Sequence, residues 1–301
     1  MARSYTDQYM KGILEDLFSD FLRFFYPNAD ELFDINRGFE FLDQEVEKLF
    51  PVGNTEYQKS VDKLVKVYTK DGKEEWMLVH IEVQGYYDAH FAERMFIYFY
   101  RIRDSYGKRV RSIAIFTDDR HSYHSNEYVY QEDETSVIFR FKTYKVLDQD
   151  PEELEASNNP FAWVILTIQL ALQRERLQTD DYFQLTMDLV RRLYRKGFDR
   201  DKIYQLLVFI KKYVHFDKPE INSKFDNELD KLDYKTRTMG IFEQIAQIEK
   251  EEAREEATEK SKAAFVKKLL QKTVHSVEDI ADLAEVSVDF VQKIREQLNL
   301  K

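Results

Sequence analysis

Between Met77 and Gln84 the chain reads MLVHIEVQ. Alternation divides it into two strand faces, with Leu78, His80, Glu82 and Gln84 on one and Met77, Val79, Ile81 and Val83 on the other. An imidazole, a carboxylate and a carboxamide in one row are groups that move protons or hold a cation. A second carboxylate, Asp62, stands on the preceding alternating segment, Ser60 to Tyr68. Whether Asp62 joins the row depends on the turn between the segments. A three-residue Lys70-Asp71-Gly72 loop, with Gly72 left-handed, pairs even positions with even and sets Asp62 across from His80 and diagonal to Glu82. A two-residue Asp71-Gly72 turn sends Asp62 to the other face. Two carboxylates brought that close repel unless a cation lies between them, and an oxygen-rich, partly hydrated pair suits magnesium. The plainer reading is that the polar positions are the solvent side of a sheet. A strand between a hairpin partner and later apolar strands is expected to be central, however, with both faces covered, and there a polar row needs a reason.

The elements that must position these groups follow from hydrophobic periodicity. Ile13, Leu14, Leu17, Phe18, Phe21, Leu22 and Phe25 have the three-four spacing of an amphipathic helix over Asp7 to Phe25, ended by Pro27. Leu42 to Leu49 predicts a shorter helix. The hairpin follows, then a helix from Ala89 to Tyr106, capped by Asp88 and closed by Gly107. Val110 to Phe116 and Val137 to Val146 read as strands. Beyond Asp150-Pro151 the pattern is helical only, with helices predicted at Phe161 to Gln173, Asp180 to Tyr194, Asp201 to Tyr213 and, more weakly, Phe225 to Leu232. The order implies an α/β fold, a mixed sheet flanked by helices, over residues 1–150. A helical region over 151–240, a charged helical connector over 241–262 and a small C-terminal helical module over 263–301 follow.

Taken together, Asp62-Lys63-Leu64, Leu78 to Gln84 (LVHIEVQ) and Arg94 to Tyr98 (RMFIY) resemble the PD-(D/E)XK nuclease superfamily, and within it the Rpn (recombination-promoting nuclease) and YhgA-like transposase group. The resemblance covers residues 5–145 well and the rest more loosely. It implies a restriction-endonuclease-like sheet and a metal-dependent DNA endonuclease that serves recombination or transposition. Carried over position by position, Asp62 and Glu82 become ligands of Mg2+ or Mn2+, with the carbonyl of Val83 as a further ligand. The ion acidifies a bound water and stabilises charge on the attacked phosphate. Gln84 departs from the commoner lysine; it has no charge and cannot act as a base, so it is left to orient water. The alternative is a nuclease-fold protein that no longer cuts and serves as a DNA-binding or protein-interaction module.

Arg94, Tyr98 and Arg101 fall at i, i+4 and i+7, one helix stripe able to hold a phosphate, or equally a surface stripe with one buried ring. His80 reads as a neighbouring or core histidine, and His121 and His124 as solvated loop residues. Basic residues cluster at Arg101, Arg103, Lys108, Arg109 and Arg111, and again from Arg191 to Lys212. They read as solvated faces or, if folding brings them together, as a DNA path.

Composition sets the limits. The 301 residues include no cysteine, which removes disulfides, thiol nucleophiles and thiolate metal sites and leaves oxygen or imidazole as metal ligands. A formal charge of −11 argues against a general nucleic-acid coating protein, though a local basic groove is compatible with it. No apolar run has the length of a membrane span and Met1 to Lys11 lacks a signal-peptide core, so a cytoplasmic protein without membrane partners is expected. No G-x-x-x-x-G-K-S/T loop, G-x-S-x-G elbow or H-E-x-x-H helix occurs. In the C-terminal module, Ser276 and Ser287 are expected helix caps, and Ile280, Ala281, Leu283, Val286, Val291 and Ile294 form its apolar side. The result is similar to a helix-turn-helix, but its second helix is poor in arginine, and homo-oligomerisation or docking through these helices is at least as strong an expectation.

Overall fold

A computed structural model of the chain describes residues 2–42, 61–82, 90–118, 125–216, 218–236, 258, 260–271 and 276–298. These divide into two compact units, Met1–Glu228 and Leu229–Lys301.

In the first unit the chain begins with α1 (Ala2–Asp16), α2 (Phe18–Phe25) and the single turn α3 (Ala29–Leu32). All seven apolar positions expected from Ile13 to Phe25 are buried. The continuous helix is instead two, because Leu17 leaves helical dihedrals at φ −114°, ψ 24°. Tyr26, obliged by Pro27 to be extended, ends α2. Of the predicted helix at Leu42 to Leu49, all but Leu42 lies outside the described residues.

Five strands make the main sheet: β1 (Glu40–Phe41), β2 (Val61–Tyr68), β3 (Glu74–Glu82), β4 (Arg109–Phe116) and β7 (Lys142–Lys145), in the order β1-β2-β3-β4-β7. The pairings β1–β2 and β2–β3 are antiparallel, whereas β3–β4 and β4–β7 are parallel, so the sheet is mixed and β3 is its central strand. The parallel step from β3 to β4 is made through α4 (Phe91–Tyr106), closed by Gly107 at φ +63°, whose amide donates to the Arg103 carbonyl at 2.9 Å.

Between β4 and β7 runs a separate two-stranded ribbon, β5 (Glu127–Glu132) and β6 (Thr135–Arg140), turning at Asp133 with φ +46°. The strand expected over Val137 to Val146 is therefore two, broken at Phe141. Phe139 and Phe141 both enter the core under α4, so the alternation is unbroken while the hydrogen-bonding partner changes from β5 to β4. Periodicity reports faces, not partners.

Each sheet face has its own cover. Leu64, Trp76, Ala114 and Phe116 bury themselves against Phe91, Met95, Tyr98 and Ile102 of α4 and against Phe139 and Phe141. On the opposite face Val65, Val67, Met77, Ile113 and Ile115 are fully buried. There α1 packs against β2, and Lys63, 2% exposed, pairs with Glu15.

The helices that follow are α5 (Pro151–Ala156), α6 (Phe161–Leu172), α7 (Thr179–Arg195), α8 (Arg200–Tyr213) and α9 (Pro219–Thr236), the last running across the boundary between the units. Every residue of α6 from Phe161 to Leu170 is buried, as expected for a helix that is apolar all round. It packs against α2, α5, α7 and α8. Its Gln169 Nε2 donates to the carbonyls of Val146 and Gln149 at 2.9 and 2.8 Å, tying the helix to the chain leaving β7. Asn159 donates to the Asp20 carbonyl at 2.9 Å, and Lys202 pairs with Asp20. Helices α6 and α8 thus share a core with the N-terminal helices α1 and α2.

The second unit holds a helix over 260–271 (α10), α11 (Val277–Ala284) and α12 (Val288–Gln297) around Val266, Ile280, Ala281, Ala284, Val291 and Ile294. Ser276 caps α11 in a reciprocal box with Asp279, and the Ser287 hydroxyl accepts from the Phe290 amide at 3.2 Å, as expected. Leu283 is a correction to the apolar side, for it is 56% exposed and Ala284 takes the inward position. Among the described residues no helix is long and apolar enough to cross a membrane.

Candidate functional site

The register that decides the fate of Asp62 is set by the hairpin turn. The Thr69 amide donates to the Lys73 carbonyl at 2.9 Å and the Gly72 amide to the Thr69 carbonyl at 2.9 Å, leaving Lys70, Asp71 and Gly72 as the loop. Gly72 stands at φ +78°, where a side chain is strained. Asp71 stiffens the turn. Its carboxylate accepts from Lys73 and Thr69 and is held down at about 2 for that reason. The odd loop pairs Tyr68 with Glu74 and, six residues on, Asp62 with His80. Glu82 is then the diagonal neighbour of position 62 across the strand pair.

The strand face follows from the same register. Position 62 shares its face with Leu64, and positions 80 and 82 share theirs with Trp76, the two residues that lie under α4. Val83 and Gln84, and likewise His121 and His124, lie outside the described residues.

In the parallel half of the sheet, Glu82 is in register with Phe116, and Phe116 with Lys145. This row is the carboxyl edge of three parallel strands, the edge at which open α/β sheets gather their ligands. Two charged residues that the sequence did not single out meet there. Lys145 Nζ lies 2.6 Å from Asp118 Oδ2, with side chains only 4% and 1% exposed, and 5.9 Å from the centre of the Phe116 ring. A buried pair of this kind holds together the chain leaving β4 and the end of β7. The sequence signal for it was a lysine at an inward parity in the alternation running from Val137, masked by the solvent-like composition of Lys142-Thr143-Tyr144-Lys145.

Helix α4 starts over this edge. Phe91 lies 5.1 Å from Phe116, ring to ring, and the half-buried Arg94 guanidinium is 5.6 Å from the Phe91 ring. Tyr98 is 2% exposed and belongs to the core under the helix. Arg101 is half-buried two turns further along, about 10 Å down the helix axis from Arg94. Of the expected stripe, then, Arg94 stands at the carboxyl edge, Tyr98 packs the core and Arg101 is displaced towards the opposite end of the sheet.

The expected basic runs are largely occupied in packing. Arg192 pairs with Glu155, Lys202 with Asp20, Lys211 with Asp226 at 3.2 Å, Arg191 with Asp188 at 2.7 Å and Lys108 with Glu74 at 3.1 Å. Lys196 donates to the carbonyls of Glu155 and Ala156. These cations join α5 to α7, α2 to α8 and α8 to α9 rather than forming one continuous positive track.

Among the described residues no group of three or more His, Asp or Glu side chains is placed to hold a metal ion. Comparison with family models, with curated proteins and with solved structures returns no match. The functional reading therefore rests on register, burial and chemistry.

Proposed function

We propose that this protein is a magnesium- or manganese-dependent DNA endonuclease of the PD-(D/E)XK type, akin to the Rpn and YhgA-like transposases, with a restriction-endonuclease-like sheet. The observation that carries the reading is the three-residue turn, whose register sets Asp62 opposite His80 and diagonal to Glu82 on the α4 side of the central strand. Two carboxylate positions and the Val83 carbonyl make a hard, oxygen-only donor set, which suits a hydrated divalent ion. When bound, the ion supplies an acidified water and neutralises charge on the scissile phosphate.

The chain's own groups supply the rest. Gln84 orients water through its carboxamide, His80 supports the row from within the same strand, and Arg94 at the start of α4 holds a backbone phosphate. Tyr98 and Arg101 contribute through the placement of that helix. The net charge of −11 and the glutamine in place of lysine favour a second reading, a nuclease fold that binds without cutting.

Plasmid nicking in magnesium or manganese separates the two. The native chain is expected to nick, and Asp62→Ala or Glu82→Ala to lower the rate about a hundredfold or more. Manganese binding followed by calorimetry is expected to weaken in the same variants. Cleavage that survives both substitutions rejects the site; metal binding without cleavage selects the second reading.

A further inference from the structure

The ribbon of β5 and β6 is covered on one face only. Tyr128 and Phe139, paired across it, turn inward, where the Phe96 ring of α4 lies 5.2 and 5.8 Å from theirs. The other face carries Val129 and Ile138, also directly paired, and these are 53% and 62% exposed. Ile138 is the most exposed large hydrophobic side chain among the described residues.

One edge of the ribbon is open as well. The Phe141 amide donates to the Asn126 carbonyl at 3.1 Å, which continues the ribbon's register and makes these two a hydrogen-bonded pair. Alternation fixes the rest: Tyr128 bonds Phe139 and Tyr130 bonds Val137, whereas the N–H and C=O groups of Ser136, Ile138 and Arg140 point away from β5. Among the described residues no backbone group outside the ribbon meets them. All three residues are exposed, and Thr135 to Arg140 (TSVIFR) has no proline and a charge only at its last position. An edge of this composition lacks the devices that keep strands apart and is a template for a further strand.

We propose that β6 pairs antiparallel with β6 of a second copy of this chain, joining the two ribbons into one four-stranded sheet. A two-fold axis at Ile138 sets that residue against its own mate and Ser136 against Arg140 of the other copy, so the outward backbone groups meet each other. The exposed pairs then form one apolar row across four strands, from Val129 through both Ile138 side chains to the second Val129. Moving the axis by one residue breaks the row, for Ile138 then faces Ser136 or Arg140. Charge agrees with this choice. Arg140, whose side chain is 74% exposed, comes diagonal to the exposed Glu134 of the other copy, twice by symmetry. The same operation at β5, about Val129, brings Glu127 diagonal to Asp133 of the other copy, a like-charge contact. The surface uses none of the residues of the endonuclease reading and stands independently of it.

The chain has no cysteine, so a single introduced thiol in the full chain can cross-link only to another copy. Ile138→Cys is expected to give a disulfide-linked dimer under mild oxidation, because facing residues of a hydrogen-bonded antiparallel pair stand about 5.5 Å apart, within disulfide reach. Val129→Cys is also exposed but lies about 14 Å from its mate, three strand spacings away, and is expected to remain unlinked. Light scattering over a concentration series is expected to show the native chain rising towards the mass of two copies. Ile138→Lys opposes two ammonium groups across the axis and is expected to raise the dissociation constant about tenfold or more, with the circular dichroism spectrum unchanged because the side chain is exposed. Leu283→Ser, an exposed apolar residue of the second unit, is expected to change nothing. A native chain that stays monomeric, or equal cross-linking at positions 129 and 138, overturns the proposal. Dissociation by Leu283→Ser and not by Ile138→Lys also overturns it, by assigning the contact to the C-terminal helices.

Discussion

Removing one partner of the Asp118–Lys145 pair leaves the other charge almost wholly buried with nothing to balance it. Asp118→Asn or Lys145→Met is therefore expected to cost about 3–5 kcal/mol, and the joint Asp118→Leu, Lys145→Met replacement much less, since an apolar pair asks for no compensation. Urea unfolding of the two single variants and the double variant measures this; additive losses would show that the pair is not coupled. Asp71 sets a pH dependence of known sign. Its carboxyl is held down from 3.8 to about 2 in the folded chain, so the stability it contributes is fully present above about pH 4 and is lost as pH falls towards about 2. The group is fully exposed, so the effect is screened by salt. A melting-temperature profile between pH 5 and 2 is expected to be shallower in Asp71→Asn than in the native chain. Individual residues of this kind were only partly legible beforehand. Asp62 and Glu82 announced themselves by alternation, whereas Asp118 and Lys145 are far apart in sequence and each looks like a surface residue until the parallel pairing of β4 and β7 joins them.

The elements that matter most are short and decided by local chemistry. The loop Lys70-Asp71-Gly72 fixes the parity of β2 against β3, and its left-handed position tolerates glycine alone without strain. Gly72→Val is expected to destabilise the unit by about 1–2 kcal/mol in urea unfolding, the cost of a side chain in that region. No loss would mean that the turn does not keep its left-handed form. In the second unit Ser276→Ala removes the hydroxyl half of a reciprocal cap and is expected to cost α11 about 1 kcal/mol, read as a lower melting temperature of the isolated transition. The hairpin, α4 with its closing glycine, β4 and the helices from Phe161 to Tyr213 were all legible, because each carries its own period and its own punctuation. The division of the first helix at Leu17 and the transfer of the strand at Phe141 from ribbon to sheet were not. In both places the hydrophobic pattern runs on unbroken while the backbone changes direction or partner.

At the scale of the whole molecule, the first unit is a mixed sheet whose two faces are assigned different work. One face packs under α4 through Leu64, Trp76, Ala114 and Phe116, and the other is packed against the N-terminal helices, which in turn share the core of α6. Ion pairs link segments remote in sequence, such as Asp20 with Lys202 and Glu155 with Arg192, and use up basic residues that composition alone would offer to a nucleic acid. The sequence by itself determined the absence of thiol chemistry and the order of helices and strands, since composition and period are properties of neighbours along the chain, but it left two hairpin loop lengths open, and the structure chose the one that brings Asp62 opposite His80. Only the tertiary structure decided which residues meet at the carboxyl edge and which cations are spent in packing. Burial and long-range pairing are set by elements that lie far apart in sequence and become neighbours only when the sheet is assembled.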